Sequence, residues 1–493
     1  MLVQLDPALP EPLYRQLRAA IADAIEAGRF AAGELLPSSR ALAADLDLSR
    51  NTVNMAYQEL TAEGFLESIP RVGYAVNRDL RRYLATLPEE KPVPRIDWQS
   101  RMGDLGDDLP HVVRAPERHT EPYAFVVGEP DVSLFPTAPW MRAMRAAMSE
   151  EHIGSSLGDR FDTDDPLLVE MLCKHVLPAR GITAATDEVL VTMGSQNGLY
   201  LVSLALLDNR KRVAVEEPGY PDARHIFKRR GARLIPVPVD DQGMVVPSNL
   251  KKVDLVSVTP SHHYPTNATL SVGRRQQLLA QAESQDFVIV EDDYDSEFRY
   301  QGRPTPSLKA LDDSGRVVYL GSFSKFLAPG LRLGYVVADA PLITRLRDLR
   351  RYMLRHPPGL LQRTMGLMIE AGDYLRSVRR SRHALKDKWE RCVESVDRHV
   401  PWEVTLPTGG LSLWLPGPPG FDAVAVTKEA LTRGVVVEDG SVCYLQEPAP
   451  RNSVRLGFAG TRADAIEPGV AVLGEIIKRH MSDSRYDSAT APK

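Results

Sequence analysis

The sequence predicts an α/β protein in two parts. A winged helix-turn-helix module is joined by a linker to a large, mainly parallel α/β domain with a smaller α+β domain behind it. Three observations carry this. Residues 11–78 hold three helix signals followed by two short strand signals. From Tyr123 onward, short strands alternate with helices of about 10–15 residues, the mark of a mainly parallel sheet covered on both faces. After about residue 340 the pattern becomes helix-rich and closes on separated strands and a last helix. The expected bounds are 1–78 for the winged module, 79–122 for the linker, 123–340 for the large domain, 341–481 for the small one and 482–493 for a polar, frayed tail.

Each element follows from local chemistry. Leu13, Leu17, Ile21, Ala22 and Ile25 recur at helical spacing and stop at Gly28. Pro37-Ser38-Ser39-Arg40 opens a second helix with a serine as N-cap, and Leu48-Ser49-Arg50 opens a third that runs to Gly64. Phe65-Leu66-Glu67-Ser68 and Val72-Gly73-Tyr74-Ala75-Val76 read as a hairpin around Pro70-Arg71. The stretch 79–122 carries Pro88, Pro92, Pro94, Pro110, Pro116 and Pro122 with little periodicity, a linker with some helix near Arg81–Leu87.

In the large domain Val189–Thr192 is a strand, with a helix from Gln196. Arg212–Val215 is the next strand, followed by a helix across Asp222–Arg230. Leu234–Val239 suits an edge, because Pro236 and Pro238 interrupt it. Leu255–Val258, Phe287–Val290 and Val317–Leu320 are further strands, with a helix at Arg274–Ala282. The small domain ends in strand-like Leu411–Leu415, Val435–Glu438 and Val454–Phe458 and a helix at 463–479.

Composition narrows the function classes. With 493 residues, 43% hydrophobic and 25% charged, the chain suffices for two or three packed domains and is not disordered as a whole. A net charge of −5 gives no general attraction to nucleic acid or membranes. The three cysteines, Cys173, Cys392 and Cys443, are odd in number and widely spaced, which points to a reducing compartment and to no metal pattern. The N-terminus has neither the basic nor the apolar segment of a secretory signal, and no apolar run reaches spanning length, so a cytoplasmic protein is expected.

A helix-turn-helix reads bases with the first residues of its second helix. Here those are Ser49, Arg50, Asn51, Thr52 and Asn54. Arginine pairs bidentately with guanine and asparagine with adenine. Arg40 can reach a phosphate or a base, and Arg71 with Gly73 can carry the wing into the minor groove. Residues 1–78 nevertheless hold seven arginines, no lysine and ten acidic residues, so nonspecific attraction is weak and placement carries the reading.

A second chemistry is written around Ser322-Phe323-Ser324-Lys325. The lysine follows an apolar strand, has hydroxyls at 322 and 324, and is followed seven residues later by Arg332. An aldehyde cofactor with a phosphate tail requires such a set: an amine for a Schiff base, hydroxyls and a bidentate arginine for the phosphate. Gly194-Ser195-Gln196 is a glycine turn into a helix N-terminus, an anion site. Glu217-Pro218-Gly219-Tyr220 offers a ring at a strand end, and Glu291-Asp292-Asp293-Tyr294-Asp295 a carboxylate for a pyridine nitrogen. Thr259-Pro260-Ser261-His262-His263-Tyr264 leaves another strand end, where open α/β sheets bind ligands.

Two resemblances follow. Pro12-Leu13-Tyr14-Arg15-Gln16-Leu17, Leu36-Pro37-Ser38-Ser39-Arg40, Leu48-Ser49-Arg50-Asn51-Thr52-Val53 and Glu63-Gly64-Phe65-Leu66 resemble the winged-helix domain of GntR-type regulators. That likeness implies operator contacts at Arg40, Arg50 and Thr52. The span from about 123 to 480 resembles fold-type I aminotransferases, and the whole chain resembles the MocR subfamily of GntR regulators. The resemblance implies pyridoxal 5′-phosphate as cofactor, with Lys325 as Schiff-base lysine and Asp292 on the pyridine nitrogen. It implies Tyr294 near the phenolic oxygen, Tyr220 stacked on the ring, and Ser195, Gln196, Ser322 and Arg332 on the phosphate. Ser324 lies in the same motif, and Arg455, in Val454-Arg455-Leu456-Gly457-Phe458, matches the arginine that meets a carboxylate.

Two departures stand out. Tyr264 takes the place of the asparagine that aminotransferases use on the phenolic oxygen, and Ser156-Leu157-Gly158-Asp159-Arg160 lacks the family tyrosine before Gly-Asp-Pro, so loop 157–166 is a candidate wall of the effector pocket. The resulting expectation is a homodimeric, cofactor-dependent, DNA-binding regulator that senses an amine or amino acid by external aldimine formation at Lys325. The alternatives are an active aminotransferase with an appended DNA module, and a regulator that senses pyridoxal phosphate itself.

Overall fold

The computed structural model describes residues 5–6, 11–79, 96–102, 120–303 and 305–482. The chain divides into two compact units, 1–104 and 105–493, each taken by itself below.

In the first unit α1 (Leu13–Glu26), α2 (Ser39–Asp45) and α3 (Arg50–Ala62) precede a hairpin of β1 (Leu66–Ile69) and β2 (Gly73–Val76). The serine cap expected for α2 forms, with Ser38 Oγ accepting the Ala41 N–H at 3.2 Å, and Ser49 Oγ caps α3 in the same way by accepting the Thr52 N–H at 3.0 Å. Such caps satisfy amides that a helix start leaves orphaned. Leu17 and Ile21 of α1, Leu42 of α2, Val53, Tyr57 and Leu60 of α3, and Leu66 and Val76 of the hairpin close one core. Tyr57 also donates its hydroxyl to the Pro37 carbonyl at 2.9 Å, which ties α3 to the start of α2. The hairpin turns between Ile69 and Gly73, and Arg71 at its tip has a φ of 66°.

The second unit is built on an eight-stranded sheet in the order β4-β11-β10-β9-β8-β5-β6-β7. Its strands are β4 (Val189–Thr192), β5 (Arg212–Glu217), β6 (Arg233–Asp240), β7 (Gly243–Met244), β8 (Leu255–Val258), β9 (Val288–Asp293), β10 (Val317–Ser322) and β11 (Gly334–Val337). Pairs β10/β9, β9/β8, β8/β5 and β5/β6 are parallel. Alternation along β10 feeds both faces: Val318 and Leu320 pack with the helix Ser195–Leu206, and Tyr319 packs with Leu168, Leu172 and Met365 on the other side.

Several expectations change. β11 is an antiparallel strand inserted between β4 and β10, and the sequence reading took that stretch only as part of the phosphate motif. β7 pairs with Val239 and Asp240, and the Val245 N–H donates to the Pro238 carbonyl at 2.8 Å, which leaves β6 an edge along Pro236. The strand expected over Val435–Glu438 is two: β13 (Val435–Val436) pairs with β3 (Tyr123–Ala124), and β14 (Glu438–Asp439) pairs with β15 (Ser453–Gly457), whose other side holds β12 (Ser412–Pro416).

Packing crosses the bounds expected at 123 and 340. Tyr123 and Phe125 pack with the small domain's core of Trp389, Leu413, Leu456, Phe458 and Ile476. Helix Ala340–Leu354 supplies Ile343 and Leu346 to the large sheet's core, and helix Gly359–Glu370 supplies Met365 and Met368. Both regions are apolar enough for either domain, so composition alone does not divide them. Residues 80–95 and 103–119 of the expected linker, with the helix near Arg81–Leu87, lie outside the described residues, as do 483–493 of the tail.

Candidate functional site

The first unit places Arg50, Asn51 and Asn54 at the start of α3, away from its buried Val53, Ala56, Tyr57 and Leu60, with Arg40 on α2 and Arg71 and Gly73 in the hairpin. Arg40, Ser49, Arg50, Asn51 and Arg71 are exposed, and Thr52, Asn54 and Gly73 are half-buried. The Ser49 and Thr52 hydroxyls lie 2.8 Å apart, so both serve the helix cap. The side chains left to reach outward at the start of α3 are therefore Arg50, Asn51 and Asn54. Gly73, at φ 141°, starts the second wing strand in a backbone region that favours glycine.

In the second unit, the ends of β4, β5, β8, β9 and β10 surround a cavity of about 370 Å³. Ser195, Gln196, Tyr220, Tyr264, Asp292, Tyr294, Ser322, Ser324, Lys325, Arg332 and Arg455 all line it. Gly194 stands one step behind. It caps the helix Ser195–Leu206 with a φ of 83°, and a Cβ there would lie 3.2 Å from Arg332 Nη2. Arg332 is itself left-handed at φ 48° and donates to the Met193 carbonyl at 3.2 Å. Its guanidinium is thereby held beside the helix start, where amides and a cation together favour an anion.

The cavity wall continues through rings. Tyr220 donates its hydroxyl to Asp222 at 3.0 Å, and its ring lies 5.0 Å from that of Tyr264. The Arg455 guanidinium carbon sits 4.0 Å from the centre of the Tyr264 ring, within cation–π range. Tyr264 therefore contacts the carboxylate-binding candidate itself. Its loop is braced from behind: Thr259 donates its N–H and hydroxyl to Glu216 at 3.0 and 2.7 Å, and the Tyr264 N–H donates to Thr259 Oγ1 at 3.0 Å. Burial pushes Glu216 up to about 8 and the neighbouring His263 down to about 3.

Strand alternation separates the two adjacent carboxylates of β9. Asp293 faces away from the cavity and is held by Arg180 and the Tyr319 hydroxyl at 2.8 and 2.7 Å. Asp292 faces in. Burial, then the nearby Asp293 charge, pushes its carboxyl up to about 7 against the opposing pull of Lys325. Asp292 Oδ1, Tyr294 Oη, Ser324 Oγ and Arg455 Nε are buried without a hydrogen-bond partner. Such atoms are few in folded proteins and mark a place where a group is expected.

Sequence reasoning missed other lining residues. Asn267, Leu411, Ser412 and Glu438 reach the cavity only through tertiary structure. Asn267 is left-handed at φ 59° and donates to the Ser412 carbonyl at 2.6 Å; no local motif announces it. Glu438 stands opposite Arg455 in the β14/β15 register, which requires the strand pairing to be known. No residue of loop 157–166 lines this cavity in its own chain. Asp164 is instead tied to Arg347 and Arg350, and Asp165 to Arg363 at 2.9 Å.

Comparison with known proteins agrees with both units. Residues 127–473 match the family "Aminotransferase class I and II", and residues 13–76 match "Bacterial regulatory proteins, gntR family". The chain is 39% identical to the HTH-type transcriptional regulator TauR of Rhodobacter capsulatus, over 94% of this chain and 96% of that one. It is 31% identical to the probable rhizopine catabolism regulatory protein MocR of Rhizobium meliloti, over 94% of each. Among solved structures it is similar to LysN, an α-aminoadipate aminotransferase from Thermus thermophilus complexed with N-(5′-phosphopyridoxyl)-L-leucine. That likeness has a TM-score of 0.70 at 26% identity and covers 78% of this chain and all of that one.

Proposed function

The chain belongs to the GntR/MocR family of regulators, with a helix-turn-helix unit and a fold-type I aminotransferase-like domain, and from that premise we propose that it is a homodimeric repressor or activator that binds pyridoxal 5′-phosphate at Lys325 and reads an amino acid there. The observation that carries this reading is the match between the cavity's unpartnered atoms and the groups of that cofactor and ligand. Asp292 Oδ1 suits a protonated ring nitrogen, Tyr294 Oη a phenolic oxygen, Ser324 Oγ a phosphate oxygen and Arg455 Nε a carboxylate. Beside a cationic ring nitrogen the Asp292 carboxylate would no longer be held near neutrality, because an opposite charge offsets the cost of burial.

Each residue then has a physical task. Ser195, Gln196, Ser322 and Arg332 would hold the phosphate at the helix start, with the Tyr220 ring available to the cofactor's ring. Lys325 would hold the cofactor through its aldehyde carbon, the oxygen leaving as water. Bound there, the cofactor supplies an electrophilic carbon that a primary amine can occupy in place of the lysine. Arg455, buried and held by the Tyr264 ring, takes the effector's carboxylate through two parallel hydrogen bonds. Because Arg455 lies on β15 and Lys325 follows β10, one ligand that satisfies both favours a particular closure of the small domain on the large. An effector shifts the population of such a closed form only by binding it better than the open one. Arg40, Arg50, Asn51, Asn54 and Arg71 read operator DNA, and two copies in a dimer read paired half-sites.

The test is a gel shift on the operator with the cofactor-loaded chain, titrated with amino acids, alongside an assay for new keto acid. An amine-dependent change in operator affinity without turnover supports the reading. Catalytic release of keto acid supports an aminotransferase with an appended DNA module. A response to pyridoxal phosphate alone supports a cofactor sensor.

A further inference from the structure

A second cavity, of about 300 Å³, lies on the other side of the β9 and β10 ends and shares only Ser322 with the Lys325 cavity. Alternation creates it: Asp293 and Tyr319, each next in sequence to a residue that faces the other way, line this one. Tyr319, Tyr335 and Tyr374 form its aromatic part. Its volume lies at the lower end of the range for small-molecule pockets.

The charges around it do not balance. Arg180 is neutralised by Asp293 at 2.8 Å. Arg299, Arg379 and Arg382 also line the cavity. Arg299 donates Nε to the Gln301 carbonyl and Arg379 donates Nε to the Leu375 carbonyl, and among the described residues none of these three has a carboxylate partner. Glu297 is the other acidic group on the wall. It accepts the Tyr374 hydroxyl at 3.3 Å, and burial pushes its carboxyl up to about 7. At the base a second kind of vacancy appears. Asp293 is 3% exposed; its Oδ2 accepts two hydrogen bonds and its Oδ1 none of normal geometry, with the Ser261 hydroxyl among the groups that hold the carboxyl charged.

We infer that this cavity is a second ligand site, separate from the cofactor pocket, for a small organic anion that also carries a hydroxyl or amine donor. The anionic group, a carboxylate or phosphate, takes the fork of Arg379, Arg382 and Arg299, which offers planar paired donors. The donor group satisfies Asp293 Oδ1, and the carbon skeleton rests on the tyrosine rings. Two features favour a small molecule over a DNA phosphate. The acceptor is recessed and buried, where a duplex backbone does not reach, and the tyrosine rings offer apolar surface that a phosphate does not use.

The test uses malate and glycerol 3-phosphate, which pair an anion with a hydroxyl and have no amine to engage Lys325. Each is titrated calorimetrically into the full chain, with and without pyridoxal phosphate, so that failure of the cofactor assignment is seen separately. At least one probe is expected to bind under both conditions. Arg379→Ala with Arg382→Ala, both at exposed positions, should weaken that binding by about tenfold or more, and Arg455→Ala should leave it intact. No binding of either probe overturns the inference, as does equal affinity in the double variant. Loss in Arg455→Ala instead places the anion in the cofactor cavity and also overturns it. So does a double variant that binds the probes normally but shows a reduced salt dependence of operator binding, since the arginines then serve nucleic acid.

Discussion

The start of α3 and the Lys325 cavity arrange functional side chains in opposite ways. On α3 the candidate residues come from one helical turn, and Arg50 and Asn51 stand exposed above a core they do not enter. Around Lys325 they come from segments between Val127 and Arg455, and Asp292, Ser324 and Arg455 are each under 10% exposed. The first surface waits for a rigid, highly charged partner, so solvent can satisfy it until the partner arrives. The second has already removed its polar atoms from water and needs a ligand to satisfy them. Substitutions on α3 should therefore cost affinity for one partner and little else. Substitutions in the cavity should alter ligand binding and, where the side chain is buried and charged, the stability of the ligand-free chain.

The contrast breaks most sharply at Lys325. Lys325→Ala should abolish the visible absorption of the lysine-bound cofactor completely while the chain stays folded, measured by spectrophotometry beside circular dichroism. An unchanged spectrum removes Lys325 from its role and the cavity reading with it.

Asp292 gives the next largest effect, and its sign is fixed by burial. Its folded value is raised from 3.8 to about 7, so between those two pH values the folded chain holds a proton that the unfolded chain has lost. Stability of the cofactor-free chain should fall as pH rises across that window, by at most about 1.4 kcal/mol per pH unit from this group. Glu216 and Glu297 act in the same direction, so the informative quantity is the difference between wild type and Asp292→Asn in denaturant titrations at several pH values. Asp292→Asn should show the shallower slope, and pyridoxal phosphate should flatten wild type alone. Parallel slopes would show that Asp292 is not a buried acid awaiting a cation.

Two arginines then compare the surfaces directly. Arg455→Ala should weaken binding of a carboxylated amine effector by roughly 1.5–3 kcal/mol, the worth of a charge-assisted pair, without bleaching the cofactor. Arg50→Ala should weaken operator binding by about 1–3 kcal/mol and relax base preference, with cofactor absorbance unchanged. Effector titration and gel shift check them in turn. Wild-type affinity in either variant displaces that residue from its site.

The unequal legibility of the two sites has the same origin. Ser49 as a helix cap and Arg50 as the first residue within the helix are local facts, and a helix start is written in four or five consecutive residues. The lysine motif and the β9 acidic run were legible because each sits at a strand end, where a single segment announces it. Glu438 was not, because it meets Arg455 only through the β14/β15 register, and Asn267 was not, because its side chain is spent on a carbonyl 145 positions away. β11 was missed for a related reason: four residues directly after the Arg332 turn carry too little periodicity to stand apart from the motif. The bounds at 123 and 340 are not written locally, because apolar helices and strands fit either core and only packing assigns them.

The smallest effect concerns Tyr264, where sequence suggested a lost asparagine and the structure shows a ring under a guanidinium. Two accounts of its worth differ. If the ring face holds Arg455 by cation–π attraction, Tyr264→Phe keeps the interaction and Tyr264→Leu loses about 0.5–2 kcal/mol of it, seen as a roughly two- to thirtyfold weaker effector affinity. If the phenolic hydroxyl matters, as donor or acceptor toward the ligand or Arg455, phenylalanine and leucine are equally poor. The 4.0 Å approach of the guanidinium carbon to the ring centre places it over the ring as the first account requires, while the Tyr264 hydroxyl also interacts with Arg455, which is why Tyr264→Phe is the deciding variant. Arg455 is 4% exposed with its Nε unpartnered, so a side chain that fixes its plane before the ligand arrives reduces what binding must order. The expected order of effector affinity is therefore wild type and Tyr264→Phe together, then Tyr264→Leu, then Arg455→Ala. If Tyr264→Phe falls to the level of Tyr264→Leu, the ring is only a spacer, and the hydroxyl has taken over the work of the asparagine that this chain lacks.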